Sequence, residues 1–320
     1  MTSYNIKRSV GRFRNDCATY YILINDKTIF VDSTDDIQLE LLYSIGRNKI
    51  QHVNLPPLLF IHGSYHAAWC WENFLGWFAG RGFDCFAVSL RGHGNSTRVK
   101  NKATTWTLEQ YVEDVSSVVD FLRTNTSLKP IIIGHAMGGA ICQKYLETSF
   151  DKITSCVLLC SVPPTGSVYS FSHWFSRTPA ALFTLLLQSS YLLISTPERV
   201  QKSFFSPNLP QDLLNQYHSK LEPTVNTKLN LQTLTTFVDK KKIMSQKDFS
   251  KSMIIIGGEK DCIIPVDMVE ESGKTYGGIK VNIVRDVAHD VMLEVKWEDV
   301  ALVILMRIQE KLFEQCAKLY

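Results

Sequence analysis

The amino-acid sequence predicts an α/β fold in which a mostly parallel sheet carries helices on both faces. Short runs of branched apolar residues alternate with segments of helical periodicity, as expected for strand–helix–strand units. The first runs, at 17–24, 27–32 and 37–45, are joined by short links and indicate an antiparallel start. A later apolar run ends at Gly134 and leads directly into a helix, which places a sharp turn after a central strand.

The other elements follow from the same two periodicities. Thr107 begins a helix through a capping box with Gln110, and apolar residues mark one face of that helix as far as Leu122. The antiparallel start, the turn after a central strand and a long insertion after residue 160 together predict the α/β-hydrolase architecture. The pattern predicts further strands at 58–61, 83–90, 130–134, 153–160, 253–257 and 279–284, and helices at 71–79, 138–148, 265–276 and from Trp297 onward.

The predicted core consists of residues 17–164 and 251–320, and residues 165–250 form a helical cap, or lid, inserted into it. The insertion holds an apolar stretch at 180–194 that polar residues interrupt and that is too short to span a bilayer. One interpretation is an ordinary cap packed on the core. The other is a cap whose apolar inner face accepts a long hydrocarbon, or whose outer face makes peripheral contact with a membrane.

Composition limits the functions to consider. The 320-residue chain has a net charge of +3 and no basic-aromatic run, which argues against nucleic-acid binding. Its eight cysteines include no C-x-x-C pair and mostly lie in apolar segments, so we expect buried free thiols. No group of side chains has the spacing of metal ligands, and no cofactor is predicted.

Residues 1–16 differ from the rest of the chain in charge. They contain no apolar core of a secretory signal. Four cations precede the first acidic residue, Asp16: Lys7, Arg8, Arg12 and Arg14. This composition fits equally a flexible basic N-terminus and the remnant of an organelle transit peptide.

The turn at 134–138 has the layout of a nucleophile elbow, G-x-S-x-G, except that Ala136 stands where the serine is expected. Glycines at 134 and 138 allow the strand and the helix to pass closely around a strained residue. Because alanine has no nucleophilic atom, we do not expect this chain to perform the covalent chemistry that its surroundings prepare.

Acyl transfer by a hydroxyl also needs a base for its proton, an acid to orient that base, and hydrogen-bond donors for the oxyanion. In an α/β-hydrolase the chain order is nucleophile, acid, histidine. Asp261 follows the strand at 253–257, and His289 follows the last strand in the same way. Glu259 and Asp267 remain alternatives to Asp261 as the acid.

The oxyanion donors are predicted to be two backbone N–H groups, one of Met137 directly after the elbow and one of Ser64 in the loop after strand 58–61. Donors of this kind each stabilise a transition state by about 3–4 kcal/mol. We expect His62 to order its loop rather than act as a base. For His135 two interpretations stand: the side chain points away from the substrate side or into packing, or it lines the substrate site with its neighbours. The residues predicted to line the substrate site are His62, Gly63, Tyr65 and His135.

Other cysteines, histidines and acids lie near the predicted catalytic residues in sequence. Cys142 is expected in the core of the elbow helix and Cys160 has no base beside it, so neither replaces the serine. His66 and His93 lie on loops at the same edge of the sheet, where a binding role has little support. Two acids that flank His289 are expected to be solvated: Asp286 and Asp290.

Longer motifs carry a more specific resemblance. They are His62-Gly63-Ser64-Tyr65-His66-Ala67-Ala68-Trp69-Cys70-Trp71, Ala87-Val88-Ser89-Leu90, Cys160-Ser161-Val162-Pro163-Pro164, Phe204-Phe205-Ser206-Pro207 and Val287-Ala288-His289-Asp290-Val291-Met292-Leu293. Together they resemble chlorophyll dephytylase, within the α/β-hydrolase superfamily, over about residues 56–305. The resemblance implies hydrolysis of the phytyl ester of chlorophyll and related pigments, at or near thylakoid membranes in a plastid. The cytoplasm is the alternative location. It places the serine of that family at position 136, its acid at Asp261 and its histidine at His289.

The alanine departs from this pattern and leaves two explanations. Either a serine was replaced deliberately to trap a substrate, or the chain is a natural, non-catalytic protein that binds a pigment or terpenoid. Retention of the other catalytic elements favours replacement. A lyase or a short-chain esterase on the same scaffold is a third hypothesis, and the long apolar cap argues against small substrates.

Overall fold

The computed structural model describes residues 13–15, 18–21, 28–47, 54–98, 106–166, 193–222 and 237–316. Within them one sheet of ten strands comprises, in chain order, β1 (Phe13–Asn15), β2 (Ala18–Tyr21), β3 (Thr28–Asp32), β4 (Gln38–Ser44), β5 (Leu58–Ile61), β6 (Cys85–Val88), β7 (Ile131–His135), β8 (Ser155–Leu159), β9 (Met253–Gly258) and β10 (Val281–Val284). The order across the sheet is β1-β2-β3-β4-β6-β5-β7-β8-β9-β10.

Strands β2 to β4 form the predicted antiparallel start, and β1 extends it. Each pairs with the next, and β4 pairs with β6 in the same antiparallel manner. The prediction that residues 1–16 are a flexible terminus is wrong for 13–15, because this segment pairs with β2 and extends the sheet by one strand. The rest of that N-terminal prediction, at 1–12 and 16, lies outside the described residues.

From β6 onward the sheet is parallel, as predicted. The pairs β5–β6, β5–β7, β7–β8, β8–β9 and β9–β10 all run in one direction. Successive strands lie on opposite sides of β5, so the order reverses between β5 and β7, and open α/β sheets bind ligands at such a switch point. Gly134 near the end of β7 lies opposite Ile61 at the end of β5, which aligns the two loops that follow.

Helices cover both faces of the sheet. The described helices are α1 (Glu72–Ala79), α2 (Leu108–Thr126), α3 (Met137–Ser149), α4 (Pro197–Phe204), α5 (Gln211–Lys220), α6 (Lys240–Met244), α7 (Phe249–Ser252), α8 (Val266–Thr275) and α9 (Trp297–Cys316). The predicted capping box at Thr107 and Gln110 begins α2. Helices α2, α3 and α8 bury their apolar sides in one core cluster, and α1 and α9 bury theirs in a second cluster on the other face.

Strand β7 contributes to both clusters because its side chains alternate. Ile132 packs with α2 and α3, whereas Ile131 and Ile133 pack on the side of α1 and α9. All five residues of the strand are buried, so the element that precedes the elbow is held from both faces. A short strand fixed in this way gives the elbow a rigid support.

The part of the insertion that is described, from 193 to 222 and from 237 to 250, contains helices α4 to α6 and the start of α7. Helix α4 is attached to the core where it ends: the Asp290 N–H donates to the Phe204 carbonyl at 2.9 Å. Ser206 donates to Glu294 through both its N–H and its hydroxyl, at 2.6 and 2.9 Å. Most of the predicted apolar stretch at 180–194, and with it most of the case for a lid, lies outside the described residues.

No helix among the described residues is both long enough and apolar enough to cross a membrane.

Candidate active site

The turn after β7 has the strained geometry of an elbow. Ala136 has φ 49° and ψ −113°, a conformation that L-residues rarely adopt, and α3 begins at the next residue. A Cβ at Gly134 would lie 2.4 Å from the Gly138 carbonyl oxygen, and a Cβ at Gly138 would lie 2.3 Å from the Ile61 carbonyl oxygen. Glycine is therefore required at both positions for strand, turn and helix to pack this closely.

Asp261 and His289 form a buried pair, and the His289 ring centroid lies 4.8 Å from that of His135, the residue before Ala136. His289 Nδ1 lies 2.8 Å from Asp261 Oδ2, and each residue is only 4% exposed. The second carboxylate oxygen accepts backbone N–H bonds from Ile263 and Ile264, both at 2.8 Å. These two donors fix the carboxylate, which in turn orients the imidazole.

The alternative acids take other positions. Glu259 is exposed and accepts a hydrogen bond from the Asp286 N–H, whereas Asp267 lies in the first turn of α8. Burial alone would lower the pKa of His289, but the charge of Asp261 and its hydrogen bond outweigh burial and raise that pKa. The geometry thus pairs Asp261, rather than either alternative, with the histidine.

The loop after β5 packs directly against the elbow. A Cβ at Gly63 would lie 3.0 Å from both Ala136 Cβ and His135 Nδ1, so this glycine allows a close approach of the two loops. A cleft with about 240 Å³ of open space lies between them and is lined by His62, Gly63, Ser64, Leu90, His93, Tyr111, Met137 and Ile141. Both predicted oxyanion residues, Ser64 and Met137, therefore line one cleft, and Met137 starts α3, where helix N–H groups have no partner within the helix.

His62 orders this loop, as the sequence suggested. Its Nδ1 lies 2.7 Å from the Gly63 carbonyl, which can only accept, and its Nε2 accepts the Leu90 N–H at 3.0 Å. These two bonds define a neutral tautomer with the proton on Nδ1. Burial lowers the pKa of His62 well below its ordinary value, and the nearby His93 adds to the decrease. His62 therefore lines the cleft as a neutral group.

Tyr65 connects the oxyanion loop to the insertion. It adopts a positive φ of 68°, and its carbonyl accepts the Glu222 N–H at 3.0 Å. Its ring centroid lies 6.0 Å from that of Phe204, which in turn lies 6.0 Å from the His289 ring. Sequence reasoning missed Phe204 as part of the site, although the motif Phe204-Phe205-Ser206-Pro207 marked its segment.

Of the two interpretations of His135, the structure supports packing rather than contact with a substrate. This residue ends β7, is 1% exposed, and its Nε2 donates to the His289 carbonyl at 2.9 Å. Burial lowers the pKa of His135 to about 3, with the neighbouring His289 contributing to the decrease. A neutral, buried imidazole bonded to the backbone of the histidine loop holds that loop in place and does not present itself to a ligand.

The expectation of a solvated Asp290 is also wrong. The side chain is fully buried, with Oδ2 3.0 Å from His66 Nε2 and Oδ1 3.9 Å from His135 Nε2. Asp286, by contrast, is exposed and forms ion pairs with Lys260 and Lys296, as expected for a solvated acid. The local sequence around His289 could not reveal that Asp290 is buried and Asp286 exposed, because the partners of Asp290 are distant in sequence.

The fold also brings together three side chains that sequence spacing did not group. Potential ligand atoms of His135, His289 and Asp290 lie within 4.8 Å of one another. Two nitrogen ligands on one tetrahedral zinc ion would be roughly 3.4 Å apart, given Zn–N bonds of about 2.1 Å. Since His289 Nδ1 already contacts Asp261 and His135 Nε2 already contacts a carbonyl, we interpret the group as an electrostatic cluster.

The two cysteines near the elbow do not supply a nucleophile. Cys142 and Cys160 are both fully buried free thiols, and burial raises the pKa of each well above its ordinary value. A thiol with a raised pKa is unreactive because the thiolate is the nucleophile. Among the described cysteines, Cys70, Cys85 and Cys156 are likewise buried and free, while Cys262 is the exposed exception to the predicted pattern.

Comparison with known proteins agrees with this geometry. The sequence pattern of the alpha/beta hydrolase family matches residues 58–301. A chloroplastic methylesterase of Arabidopsis thaliana is 25% identical over 177 residues, which cover 52% of this chain and 39% of that protein. Pheophorbidase of Raphanus sativus is 29% identical over 101 residues, covering 32% of this chain and 37% of the relative. The chain thus spans about two fifths of the length of these relatives.

Solved structures extend the likeness over most of the chain. An esterase from Exiguobacterium antarcticum superposes with a TM-score of 0.60 at 16% identity, covering 88% of this chain and 98% of the esterase. At this identity the superposition establishes the fold alone. The predicted α/β-hydrolase fold is confirmed, and because the family pattern covers about three quarters of its length, the chain belongs to the alpha/beta hydrolase family.

Proposed function

We propose that this site is that of a carboxylic ester hydrolase of the serine-hydrolase type in which alanine occupies the nucleophile position. The observation that carries the proposal is the buried Asp261–His289 pair, 2.8 Å apart, beside an elbow residue with φ 49°. A strained elbow and a buried acid–histidine pair serve little purpose in packing. Together they are the arrangement that activates a hydroxyl for acyl transfer.

With a serine at position 136, each remaining group has a defined task. His289 Nε2 takes the hydroxyl proton while the oxygen attacks the ester carbonyl, and Asp261 stabilises the imidazolium that forms. The N–H groups of Ser64 and Met137 stabilise the negative oxygen of the tetrahedral intermediate. His289 then returns the proton to the departing alcohol, and a water molecule, activated by the same histidine, releases the acid and restores the hydroxyl.

As the chain stands, Ala136 allows an ester to bind but removes the covalent step. In subtilisin, loss of the nucleophile reduces turnover by about 10⁶-fold, and we expect a loss of that order here. The alternative function is a natural, non-catalytic protein that binds a pigment or terpenoid in the hydrolase pocket. The strain at Ala136 is compatible with both, because either origin retains the elbow.

The proposed substrate is a lipophilic prenyl ester. The first candidate is the phytyl ester of chlorophyll or of a related pigment. Two findings support this choice: the motif resemblance to chlorophyll dephytylase, and similarity to a relative from Raphanus sativus that is named for a chlorophyll-derived pigment. Similarity to a chloroplastic methylesterase supports a plastid location. Thylakoid association through the segment 165–250 is part of the same proposal.

A methyl ester is the second candidate substrate. It is favoured by the similarity to a chloroplastic methylesterase. The two esters release alcohols of very different size, so they need different amounts of room in the site. A phytyl chain needs a long apolar channel, whereas methanol needs almost none.

One pigment tests both candidates, because pheophytin carries a phytyl ester and a methyl ester in the same molecule. The Ala136→Ser variant is incubated with pheophytin, and the products are identified by mass. Release of phytol supports the first proposal, and release of methanol supports the second. The unaltered chain and the Ala136→Ser/His289→Gln double variant serve as controls and should release neither. A folded Ala136→Ser variant that binds pigment tightly and cleaves no ester would move the assignment to the non-catalytic binding protein.

A further inference from the structure

Asp290 is a buried carboxylate that the mechanism above does not use. It directly follows His289 in the chain, is fully buried, and lies among imidazoles: its Oδ2 is 3.0 Å from His66 Nε2 and its Oδ1 is 3.9 Å from His135 Nε2. Within the described part of the chain, neither carboxylate oxygen receives a well-aligned hydrogen bond. The contact with His66 Nε2 is therefore close but poorly aligned for a hydrogen bond.

The backbone holds Asp290 firmly in this position. Its N–H donates to the Phe204 carbonyl at 2.9 Å, and its carbonyl accepts the Leu293 N–H at 2.8 Å. Burial would raise the pKa of Asp290, but the attraction of His66, with smaller contributions from His135 and His289, outweighs burial and lowers it. The residue thus carries a negative charge in the interior at neutral pH.

His66 links that charge to the oxyanion loop. Its Nδ1 lies 2.8 Å from the Ser64 carbonyl, which can only accept, so Nδ1 donates. Its other nitrogen faces the Asp290 carboxylate, and a carboxylate likewise accepts. The His66 ring therefore bridges the loop that carries Ser64 and the loop that carries His289, two segments more than 200 residues apart in sequence.

A buried carboxylate without aligned donors is costly, by several kcal/mol for each ion removed from water. A neutral residue of similar shape would remove that cost, so the charge requires a compensating role. The reaction supplies one, because His289 becomes positive when it accepts a proton. Asp261 supports this imidazolium through Nδ1, and the adjacent Asp290 adds a second negative charge.

We propose that Asp290 is a positioning residue whose buried charge, in contact with His66, supports the imidazolium form of His289 and fixes the histidine loop to the oxyanion loop. The proposal rests on the proposed hydrolase function for its kinetic consequence, but its electrostatic part can be measured without catalysis. It assigns a joint role to His66 and Asp290, which sequence reasoning left without one.

Within the described residues, few titratable groups face His289 and Asp290. His289 is influenced by Asp261, Asp290 and His135, and Asp290 by His66, His135 and His289. Two thiols also lie near the carboxylates: burial raises the pKa of Cys70 and of Cys160, with Asp290 and Asp261 respectively adding to the increase. Neither thiol carries charge at neutral pH, so Asp290 remains the second anion acting on His289.

The first measurement uses the chain as it exists. The titration of His289 is followed by NMR of its imidazole signals, with and without Asp290→Asn. Loss of a negative charge destabilises the imidazolium, so the His289 midpoint should fall by about one pH unit. The matched control is Glu294→Gln, the same change on a buried carboxylate that anchors the same loop through Ser206 and the Ala288 N–H. This control should leave the midpoint in place.

The kinetic measurement uses the Ala136→Ser form. Adding Asp290→Asn should lower kcat about tenfold, which is the rate equivalent of one pH unit, with KM unchanged. The acid limb of the kcat/KM profile should move to lower pH by the same amount. Asp290→Ser, which is smaller and also neutral, is the second variant in case Asp290→Asn does not fold, and it should give the same shift.

The two readouts separate failure of this proposal from failure of the proposed function. If Ala136→Ser never cleaves an ester, the hydrolase assignment fails while the NMR shift still decides the role of Asp290. If the midpoint of His289 stays in place in both Asp290 variants, or moves equally in Glu294→Gln, then Asp290 has only a structural role and the proposal is overturned.

Discussion

Asp261 provides a sharp test of the site because its two carboxylate oxygens have separate partners. Oδ1 accepts the N–H groups of Ile263 and Ile264, both at 2.8 Å, and Oδ2 lies 2.8 Å from His289 Nδ1. In an Asp261→Asn variant the two backbone donors hold the amide oxygen, so the amide NH₂ faces His289. A donor facing Nδ1 requires that nitrogen to accept, which moves the ring proton to Nε2.

A protonated Nε2 cannot take a proton from a hydroxyl at position 136. We therefore expect Asp261→Asn to lower kcat of the Ala136→Ser form by about 10⁴-fold, which corresponds to roughly 5 kcal/mol in the barrier. The assay is hydrolysis of a chromogenic ester by the serine form with and without the second change. Glu259→Gln is the matched control, since it makes the same substitution on an exposed acid of the same loop, and it should retain activity. A loss below tenfold for Asp261→Asn would refute the role assigned to this acid.

Two further predictions concern pH and backbone geometry. Neighbouring carboxylates raise the pKa of His289 above its ordinary value of 6.5. Because activity needs the neutral imidazole, kcat/KM of the serine form should fall as pH decreases through a midpoint above 6.5. An acid limb with its midpoint below 6.5 would contradict the raised pKa. Gly138→Ala should destabilise the fold by about 3 kcal/mol in urea unfolding, because its Cβ would lie 2.3 Å from the Ile61 carbonyl oxygen. Gly76→Ala, in α1 with no atom within 4 Å of its Cβ, should instead stabilise by about 0.5–1 kcal/mol, and equal effects of the two changes would be inconsistent with a tight elbow.

The sequence was most informative where local chemistry determines structure. The run Ile131–Ile133 before Gly134 predicted a buried strand and an elbow, and the structure contains both, with a strained φ at Ala136. His289 was selected by its place after the last predicted strand, and in the structure it pairs with Asp261. In both cases the signal lies within a few residues, and parallel strands bring such loops to one edge of the sheet.

Local sequence patterns could not predict contacts between segments that are distant in the chain. Asp290 resembles a loop acid in its local sequence, yet His66 and His135 enclose it from more than 150 residues away. The sequence left His135 between packing and the substrate site, and only the structure shows that its position at the end of β7 directs it to the His289 carbonyl. Phe204 reaches the histidine only because hydrogen bonds attach the end of α4 to the core.

The central claim is that this hydrolase site lacks only its nucleophile. The most direct measurement is intact-protein mass after treatment with a fluorophosphonate, which labels activated serines. We expect one phosphonyl adduct at position 136 of the Ala136→Ser variant, and none on the unaltered chain or on Ala136→Ser/His289→Gln. A folded Ala136→Ser variant that remains unlabelled, or that labels equally without His289, would contradict it.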